Sequence, residues 1–204
     1  MKSKPLLVVL SGPSGAGKDA AMNAILEQKP DMERFVTYTS RGPREGEIEG
    51  VDYHFISRSK FEEMINNDQL FEWVKYGNDY KGTPKHVFKN VLAGTSQLLR
   101  IDMTRAARLE DDVREKFPKE VAEEINSSMI KILIGVPSLM SAYQRAKARD
   151  PHLDKHDFIK RYQIDWQVWK NSQDRFPNVI INNTDELDST VEQALTLIEA
   201  YGKN

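Results

Sequence analysis

Short apolar runs alternate with longer amphipathic segments along the whole chain. The first run, residues 6–10, contains only Leu and Val and stops at a Ser-Gly-Pro turn, a pattern typical of a buried strand in a parallel sheet. Similar runs predict further strands at 35–39, 53–56, 97–103, 130–136 and 179–181. None of these runs approaches the length needed to cross a bilayer, so we expect no membrane role.

Helical patterns fill much of the space between these runs. Helices are predicted at 19–28, 59–66 and 189–201, and 59–66 begins with a possible cap residue, Ser59. A long polar helical segment follows Pro137-Ser138 and breaks at Asp150-Pro151-His152. Strands that alternate with helices predict an α/β fold with a mainly parallel sheet.

Composition and charge exclude several functional classes. The chain has 204 residues, with 29 Lys and Arg against 31 Asp and Glu and a formal net charge of −2. This balance argues against a protein that wraps nucleic acid, so any anion site is local. The chain contains no Cys, which excludes disulfides, thiolate metal ligands and thiol nucleophiles and suits a reducing cytoplasm.

A phosphate-binding loop is predicted directly after the first strand. The spacing G-x-x-x-x-G-K lies between a predicted strand and a predicted helix, which is the context this motif requires. Its backbone N–H groups can surround phosphate oxygens, and the lysine adds a positive charge near the β and γ positions. The alternative is a Gly-rich turn with a solvated lysine. The motif consists of Gly12, Pro13, Ser14, Gly15, Ala16, Gly17 and Lys18.

The residue after the lysine departs from this motif. Ser or Thr normally stands there and places its hydroxyl on Mg²⁺, whereas this chain has Asp19. A carboxylate is a good ligand for Mg²⁺, although it adds negative charge beside a triphosphate. We therefore expect Asp19 to bind the metal, with helix capping as the alternative interpretation.

Three sequence strings taken together closely resemble guanylate kinases. They are SGPSGAGK at 11–18, TSRGPREGE at 39–47 and GVDYHF at 50–55, and their order and spacing also match. The resemblance extends over nearly the whole chain. It implies a three-layer P-loop kinase core at about 1–36, 96–139 and 166–204, an acceptor-binding insertion at about 37–95 and a lid at about 140–165. It also implies that ATP and Mg²⁺ are used to phosphorylate GMP and dGMP.

Two kinds of acceptor contact are expected in the insertion. Two guanidiniums three residues apart, joined by a tyrosine hydroxyl, can surround one phosphate dianion, and the resemblance assigns this role to Arg41, Arg44 and Tyr53. Glu72 can accept from guanine N1 and N2, whereas adenine offers no matching donor. The alternative for Glu72 is an ordinary exposed acid. The positions that resemble the family's guanine-reading residues are Thr37, Glu72, Thr83 and Asp102.

Several acceptor-site residues differ from the family pattern. Lys81 replaces a tyrosine, Arg100 stands where an acid usually precedes Ile-Asp, and Thr104-Arg105-Ala106 replaces Gln-Gly-Ala. The acceptor pocket is thus more basic than usual. This excess charge either tightens GMP binding or indicates another phosphorylated acceptor, such as a different nucleotide or a ribose bisphosphate.

Spaced arginines in the polar helical segment are candidates for the catalytic charges. Phosphoryl transfer needs positive charge on the transferred group, and the resemblance assigns this role to Arg145, Arg149 and Arg161 together with Lys18 and Arg41. Asn182 resembles the family residue near the adenine. No general base is required, because the acceptor phosphate is already an anionic nucleophile.

The expected function is that of an ATP-dependent nucleoside monophosphate kinase of purine nucleotide metabolism. We expect small-molecule nucleotides as its partners, no nucleic acid, and a monomer or homodimer in the cytoplasm. A rival of another class is a non-catalytic guanylate-kinase-like module that binds proteins. Such modules tend to lose the loop lysine and the lid arginines, and this chain keeps both.

Overall fold

A computed structural model describes residues 4–44, 46–183 and 186–203. Glu45 of the second string and Thr184, which follows Asn182-Asn183, therefore lie outside the described residues. The strands are β1 (Leu7–Ser11), β2 (Met32–Arg34), β3 (Tyr38–Thr39), β4 (His54–Phe55), β5 (Leu70–Tyr76), β6 (Asp79–Pro84), β7 (Ser96–Arg100), β8 (Met129–Gly135) and β9 (Asn178–Ile181). The α-helices are α1 (Lys18–Gln28), α2 (Arg58–Asn66), α3 (His86–Leu92), α4 (Met103–Lys116), α5 (Lys119–Ser127), α6 (Leu139–Arg149), α7 (Lys155–Asn171) and α8 (Leu187–Gly202).

The central sheet has five parallel strands in the order β2-β7-β1-β8-β9. Every residue of β1 is buried, and its side chains alternate between the two faces of the sheet. Leu7 and Val9 pack with α3, α4 and α5, whereas Val8 and Leu10 pack with α1 and α8. Helices therefore cover both faces, and the predicted three-layer α/β core is confirmed.

The chain between β2 and β7 forms a second sheet of four strands, in the order β4-β3-β6-β5. Its strands are mostly antiparallel, and β5 and β6 form a hairpin. Helix α2 covers it through a small separate core of Phe61, Met64, Leu70 and Tyr80. Most of the residues expected to bind the acceptor therefore lie on the second sheet or its loops, which have a hydrophobic core of their own.

Helices α6 and α7 follow β8, are separated by a short break at residues 150–154 and pack against each other. Ser138 caps α6 by accepting a hydrogen bond from the Ser141 backbone at 3.0 Å, and Asp154 caps α7 in the same way through Asp157 at 2.9 Å. Ala142, Ala146 and Phe158 are buried between them. Helix α7 continues without interruption past residue 165, where the predicted lid ends.

Three predicted element boundaries were wrong. Of the strand predicted at 35–39, only Tyr38–Thr39 is a strand, because the chain leaves the central sheet after Arg34 and joins the second sheet at Tyr38. The strand predicted at 97–103 ends at Arg100 because Asp102 caps α4. Helix α2 is capped by Ser57 rather than by Ser59.

The hydrophobic pattern did not predict strand β2, the β5–β6 hairpin or helices α3, α4 and α5. Within the described part of the chain, no helix combines the length and the apolar character needed to span a bilayer.

Candidate active site

The phosphate-binding loop joins the end of β1 to the start of α1. Gly17 is the N-cap residue of α1 with φ +83°, and Gly15 has φ +82°, a region that residues other than glycine rarely adopt. A Cβ on Gly15 would lie 2.1 Å from the Ala142 carbonyl oxygen of α6. The loop therefore needs glycine both for its shape and for its close contact with α6.

Lys18 occupies the first position of α1 and turns back over the loop. Its Nζ donates to the carbonyl oxygens of Gly12 at 2.7 Å and Pro13 at 2.8 Å. Burial lowers the pKa of Lys18 to about 8, with a further contribution from the positive charge of Arg100. The lysine is a strong phosphate ligand in its protonated form, so its charge depends on pH near this value.

Asp19 lies in the first turn of α1 and forms ion pairs with two arginines. Arg100 Nε is 2.9 Å from Oδ1, and Arg149 Nη1 is 3.7 Å from Oδ2. The N-cap residue of α1 is Gly17, which has no side chain to cap the helix, and Asp19 is the acidic residue of the first turn, so stabilisation of the helix start stays an alternative role for Asp19. Its carboxylate is half-exposed and points toward the same cavity as the loop.

A cavity of about 720 Å³ extends from the loop to the second sheet. This volume is within the usual range for small-molecule sites, and it can hold the polar parts of two nucleotides. Among the described residues, eight basic side chains and four acidic ones line it, so this region is strongly positive in a chain of net charge −2. The basic residues are Lys18, Arg34, Lys81, Arg100, Arg105, Arg145, Arg149 and Arg161, and the acidic ones are Asp19, Asp52, Asp102 and Asp165.

Asp165 is a site residue that the sequence analysis missed. It lies on α7 and lines the cavity beside the loop. Burial raises its pKa, while the charge of Lys18 and the backbone N–H of Ser14 oppose that rise. The only feature of the sequence that marks Asp165 is its position one helical turn after Arg161, and many solvent-exposed helices have an acid and an arginine at this spacing.

Tyr53 and Lys81 meet at the second-sheet end of the cavity. Lys81 Nζ donates to the Tyr53 hydroxyl at 3.0 Å, and both side chains line the cavity. Burial raises the pKa of Tyr53, but the charge and hydrogen bond of Lys81 and the charges of Arg100 and Arg41 outweigh it, and the net pKa is lowered. Two groups suited to a phosphate dianion are thus brought together.

The positions of Arg41 and Arg44 support contact with an acceptor phosphate less directly than those of Tyr53 and Lys81. Arg41 forms a bidentate ion pair with Glu47, both bonds at 2.6 Å, and its guanidinium lies 5.2 Å from the centre of the Tyr53 ring. The pKa of Glu47 falls to about 2 because of these Arg41 hydrogen bonds and the backbone N–H of Arg44. Neither arginine lines the main cavity, so contact with an acceptor phosphate requires each to reorient.

Glu72 stands in a small pocket next to the main cavity. It follows a bulge in β5 and lies opposite Thr83 of β6, whose Oγ1 donates to Glu72 Oε1 at 2.7 Å. Arg105 of α4 also binds both carboxylate oxygens, with Nε 2.6 Å from Oε2. Glu72 is three-quarters buried in an ion pair, so the alternative of an ordinary exposed acid is wrong.

Asp102 and Thr37 line the main cavity. The Asp102 carboxylate is exposed and caps α4 by accepting from the Arg105 backbone at 3.0 Å. Thr37 lies in the segment that links the two sheets, and its carbonyl accepts from the His54 backbone at 2.9 Å. Asp102 Oδ2 also lies 3.8 Å from Arg105 Nη1, so this carboxylate already has partners within the protein.

The three arginines of α6 and α7 that were expected to act in catalysis all line the cavity. Arg145 Nη1 donates to the Asn182 carbonyl at 3.1 Å, and Arg149 pairs with Asp19. Arg161 donates to the carbonyl of Asp157, one turn earlier on α7, at 3.4 Å. Helices α6 and α7 thus deliver positive charge to the phosphate-loop end of the site from two directions.

Asn182 follows β9 and is buried behind the phosphate loop. Its amide Nδ2 donates to the Ala16 carbonyl at 2.9 Å, and its Oδ1 accepts from Thr190 at 3.3 Å. These bonds hold the loop against the central sheet. A role near the adenine stays a prediction for this residue.

Comparison with known proteins identifies the family. The guanylate kinase family model matches residues 4–201. The chain is 35% identical to the guanylate kinase of Caldanaerobacter subterraneus over 201 residues, which cover 98% of this chain and 89% of that one. It is also 35% identical to the guanylate kinase of Carboxydothermus hydrogenoformans over 199 residues, covering 97% and 89%. The chain belongs to the guanylate kinase family.

A solved guanylate kinase, that of Anaplasma phagocytophilum, has the same fold. It superposes with a TM-score of 0.70 at 24% identity and covers 100% of this chain and 89% of that one.

Two residues that line the cavity were not predicted from the sequence, Arg34 and Asp165. Arg34 Nη1 donates to the Val51 carbonyl at 3.1 Å on the cavity wall. Neither belongs to a local motif, so only the tertiary arrangement places them in the site.

Proposed function

We propose that this protein transfers the γ-phosphoryl group of ATP to GMP, and in the same way to dGMP, giving ADP and GDP. ATP-dependent phosphorylation of GMP is the activity that full-length family relatives support. The observation that carries the proposal is the single basic cavity with the phosphate loop at one end and Tyr53, Lys81 and the neighbouring Glu72 pocket at the other. A donor and an acceptor nucleotide can meet there end to end.

The chain's own residues supply positioning and charge for this reaction. Loop N–H groups and Lys18 hold the β and γ phosphates, while Tyr53 and Lys81, joined by Arg41 and Arg44, hold the acceptor phosphate. Arg145, Arg149 and Arg161 then balance the charge that spreads over the transferred group. Helices α6 and α7 help exclude water, which protects ATP from hydrolysis.

Mg²⁺ fits the donor end of the cavity. The Asp19 carboxylate lies one residue after Lys18, is half-exposed and faces the cavity, which gives it the hard oxygen that this metal prefers. When bound, Mg²⁺ would neutralise negative charge on the phosphate groups held at this end of the cavity. Arg100 and Arg149 orient this carboxylate. Among the described residues, the acids and histidine that cluster at Asp154, His156 and Asp157 are all exposed on the lid, far in sequence from the loop.

Base recognition is assigned to Glu72, Thr83, Asp102 and Thr37. A carboxylate that accepts from guanine N1 and N2 rejects adenine, since adenine leaves it unpaired. We further propose that the protein acts in the cytoplasm, where both nucleotides are made and used, as a monomer or homodimer.

The test is a coupled ADP-release assay with ATP and Mg²⁺ against GMP, dGMP, AMP, CMP, UMP and ribose 1,5-bisphosphate. We expect turnover confined to the guanine nucleotides. Lys18→Ala should abolish it, and Glu72→Ala should raise the KM for GMP while leaving the KM for ATP unchanged. Preferred turnover of ribose 1,5-bisphosphate or of another base would assign a different acceptor, and silence across the panel would favour a binding module.

A further inference from the structure

Arg105 fills the hydrogen-bonding positions of Glu72. Its guanidinium contacts both carboxylate oxygens: Nε donates to Oε2 at 2.6 Å, and Nη2 pairs with Oε1. Thr83 Oγ1 donates to Oε1 as well. Both carboxylate oxygens are therefore engaged by a charge-assisted fork, the strongest common arrangement of these groups.

The edge of guanine offers the same fork. Its N1–H and 2-amino N–H are two parallel donors on a planar C–N framework, as are the Nε–H and Nη–H of arginine. Under the proposed function this edge is directed to the carboxylate of Glu72. A guanidinium and a guanine therefore compete for the same two oxygens, and they cannot both occupy them.

The space around Glu72 supports the same conclusion. The pocket that Glu72, Thr83 and Arg105 share has a volume of about 10 Å³, close to the minimum needed for one water molecule. The neighbouring cavity of about 720 Å³ is lined by Arg105 but not by Glu72 or Thr83. Arg105 thus stands between the main cavity and the base-reading carboxylate, and a purine reaches Glu72 only after this side chain moves.

The position of Arg105 allows such movement. It lies in the first turn of α4, where its backbone N–H is fixed by Asp102 while its long side chain borders the open cavity into which it would have to turn. Burial lowers the pKa of Arg105 to about 10, against the opposing charges of Asp112 and Tyr53, so the group stays protonated at neutral pH. The ion pair with Glu72 is therefore present under working conditions.

We propose that Arg105 is a specificity-determining residue of the acceptor site: it acts as an internal competitor that guanine displaces from Glu72, and so it sets guanine affinity without taking part in phosphoryl transfer. The inference rests on the proposed function. It also gives a meaning to the arginine at a position where the resembled family often has glycine.

The experiment compares Arg105→Ala with Arg108→Ala, which removes an exposed arginine from the next turn of the same helix, where it pairs with Asp112 at 3.2 Å. We expect Arg105→Ala to lower the Kd and KM for GMP by about tenfold with kcat within about twofold of wild type, because guanine no longer breaks a charge-assisted pair. IMP, which keeps N1–H but lacks the 2-amino group, should gain less, and AMP should gain nothing. Arg108→Ala should leave all three unchanged.

Two further variants separate competition from structural damage. Arg105→Lys keeps the charge but cannot fork both oxygens, so its GMP affinity should fall between wild type and Arg105→Ala. Adding Glu72→Gln to Arg105→Ala should remove the gain, and thermal unfolding checks that each variant is folded.

A higher or unchanged Kd for GMP in folded Arg105→Ala overturns the inference, since it shows that the arginine reads or ignores the base. If wild type fails to phosphorylate GMP but Arg105→Ala binds GMP with the expected gain, the competition is supported and the proposed function fails. Binding of GMP by neither protein overturns both.

Discussion

Arg100 and Asp19 are held together at the phosphate loop, with Arg100 Nε 2.9 Å from Asp19 Oδ1. Each residue departs from its expected pattern: a carboxylate replaces a hydroxyl at position 19, and a guanidinium replaces an acid at position 100. The two departures carry opposite charges and meet in space. Their pairing offsets the negative charge that Asp19 would otherwise place beside a triphosphate, so we infer that the two residues act as a unit.

Asp19→Asn should weaken the binding of Mg²⁺. We expect the Mg²⁺ concentration for half-maximal activity to rise about fivefold or more, because a neutral amide is a poorer ligand for a hard cation than a carboxylate. The measurement is a Mg²⁺ titration of initial rate at saturating nucleotides. Asp52→Asn is the matched control, since Asp52 lines the same cavity and Asn can still accept the Ile48 N–H.

The pairing of Asp19 with Arg100 also predicts the outcome of a double substitution. The double variant Asp19→Ser with Arg100→Asp restores the usual residue types, and it should recover activity that each single change loses. Additive losses in the double variant would contradict the idea that the two residues act as a unit.

ATP binding should take up a proton above pH 8. The pKa of Lys18 is about 8 in the folded protein against an ordinary value of 10.5, because the side chain is buried and lies near Arg100. Phosphate contact favours the charged lysine, so ATP binding at about pH 8.5–9 is accompanied by uptake of a proton, whereas at about pH 7 the lysine is already protonated and this uptake is absent. Calorimetry in buffers of different ionisation enthalpy measures this uptake. Its persistence in Lys18→Met would assign the proton to another group.

The same lowered pKa fixes the sign of a stability effect. Between pH 8 and 10.5 the unfolded chain holds more protons at this lysine than the folded chain does. The contribution of Lys18 to folding free energy therefore becomes more favourable as pH rises through that window, and it is least favourable below it. Comparing the pH dependence of Tm for wild type and Lys18→Met isolates this contribution.

Arg145→Ala should lower kcat far more than it raises the KM for ATP. Its guanidinium lines the cavity and rests on the Asn182 carbonyl, a neutral partner that a transition-state phosphoryl group readily outcompetes. We expect a loss in kcat of about a hundredfold or more, in keeping with arginines that balance charge in phosphoryl transfer. Arg114→Ala, which removes a half-exposed arginine paired with Asp111 on α4, serves as the control. Equal losses in the two variants would argue for a general charge effect.

Phe61→Ala should damage the acceptor side of the molecule before the donor side. Phe61 is fully buried and stacks on Tyr80 with ring centres 5.2 Å apart, in the small core beneath the second sheet. Losing it costs about 3–5 kcal/mol at a site of this kind. We expect a raised KM for GMP, faster amide exchange in β5 and β6, and a KM for ATP close to wild type. Uniform loss of protection across β1 and β8 would show that the two cores unfold together.

The parts of the site that the sequence predicts best are those coded by neighbouring residues. The phosphate loop follows from glycine spacing between β1 and α1, and the capped start of α6 follows from Pro137-Ser138. Sequence also contained an unused signal for the β5–β6 hairpin, since Gly77-Asn78 separates two runs rich in aromatic and β-branched residues.

Long-range pairings could not be predicted in this way. Glu72 and Arg105 are 33 residues apart on a strand and a helix that belong to different layers, and their contact depends on how α4 meets the second sheet. The position of Asp165 depends likewise on the docking of α7. Periodicity describes which face of an element is buried, but it does not specify which polar side chains of distant elements meet.

The contact between Gly15 and Ala142 limits how this sequence can vary during evolution. Gly15 is only half-buried, and a survey based on solvent exposure would rate it as open to change. Any side chain there would strike the backbone of α6, so the position of this helix restricts substitution in the loop. Gly42, with nothing within 4 Å of its added Cβ, lacks this restriction. Substitution of Gly15 is therefore restricted by Ala142, a residue 127 positions later in the chain.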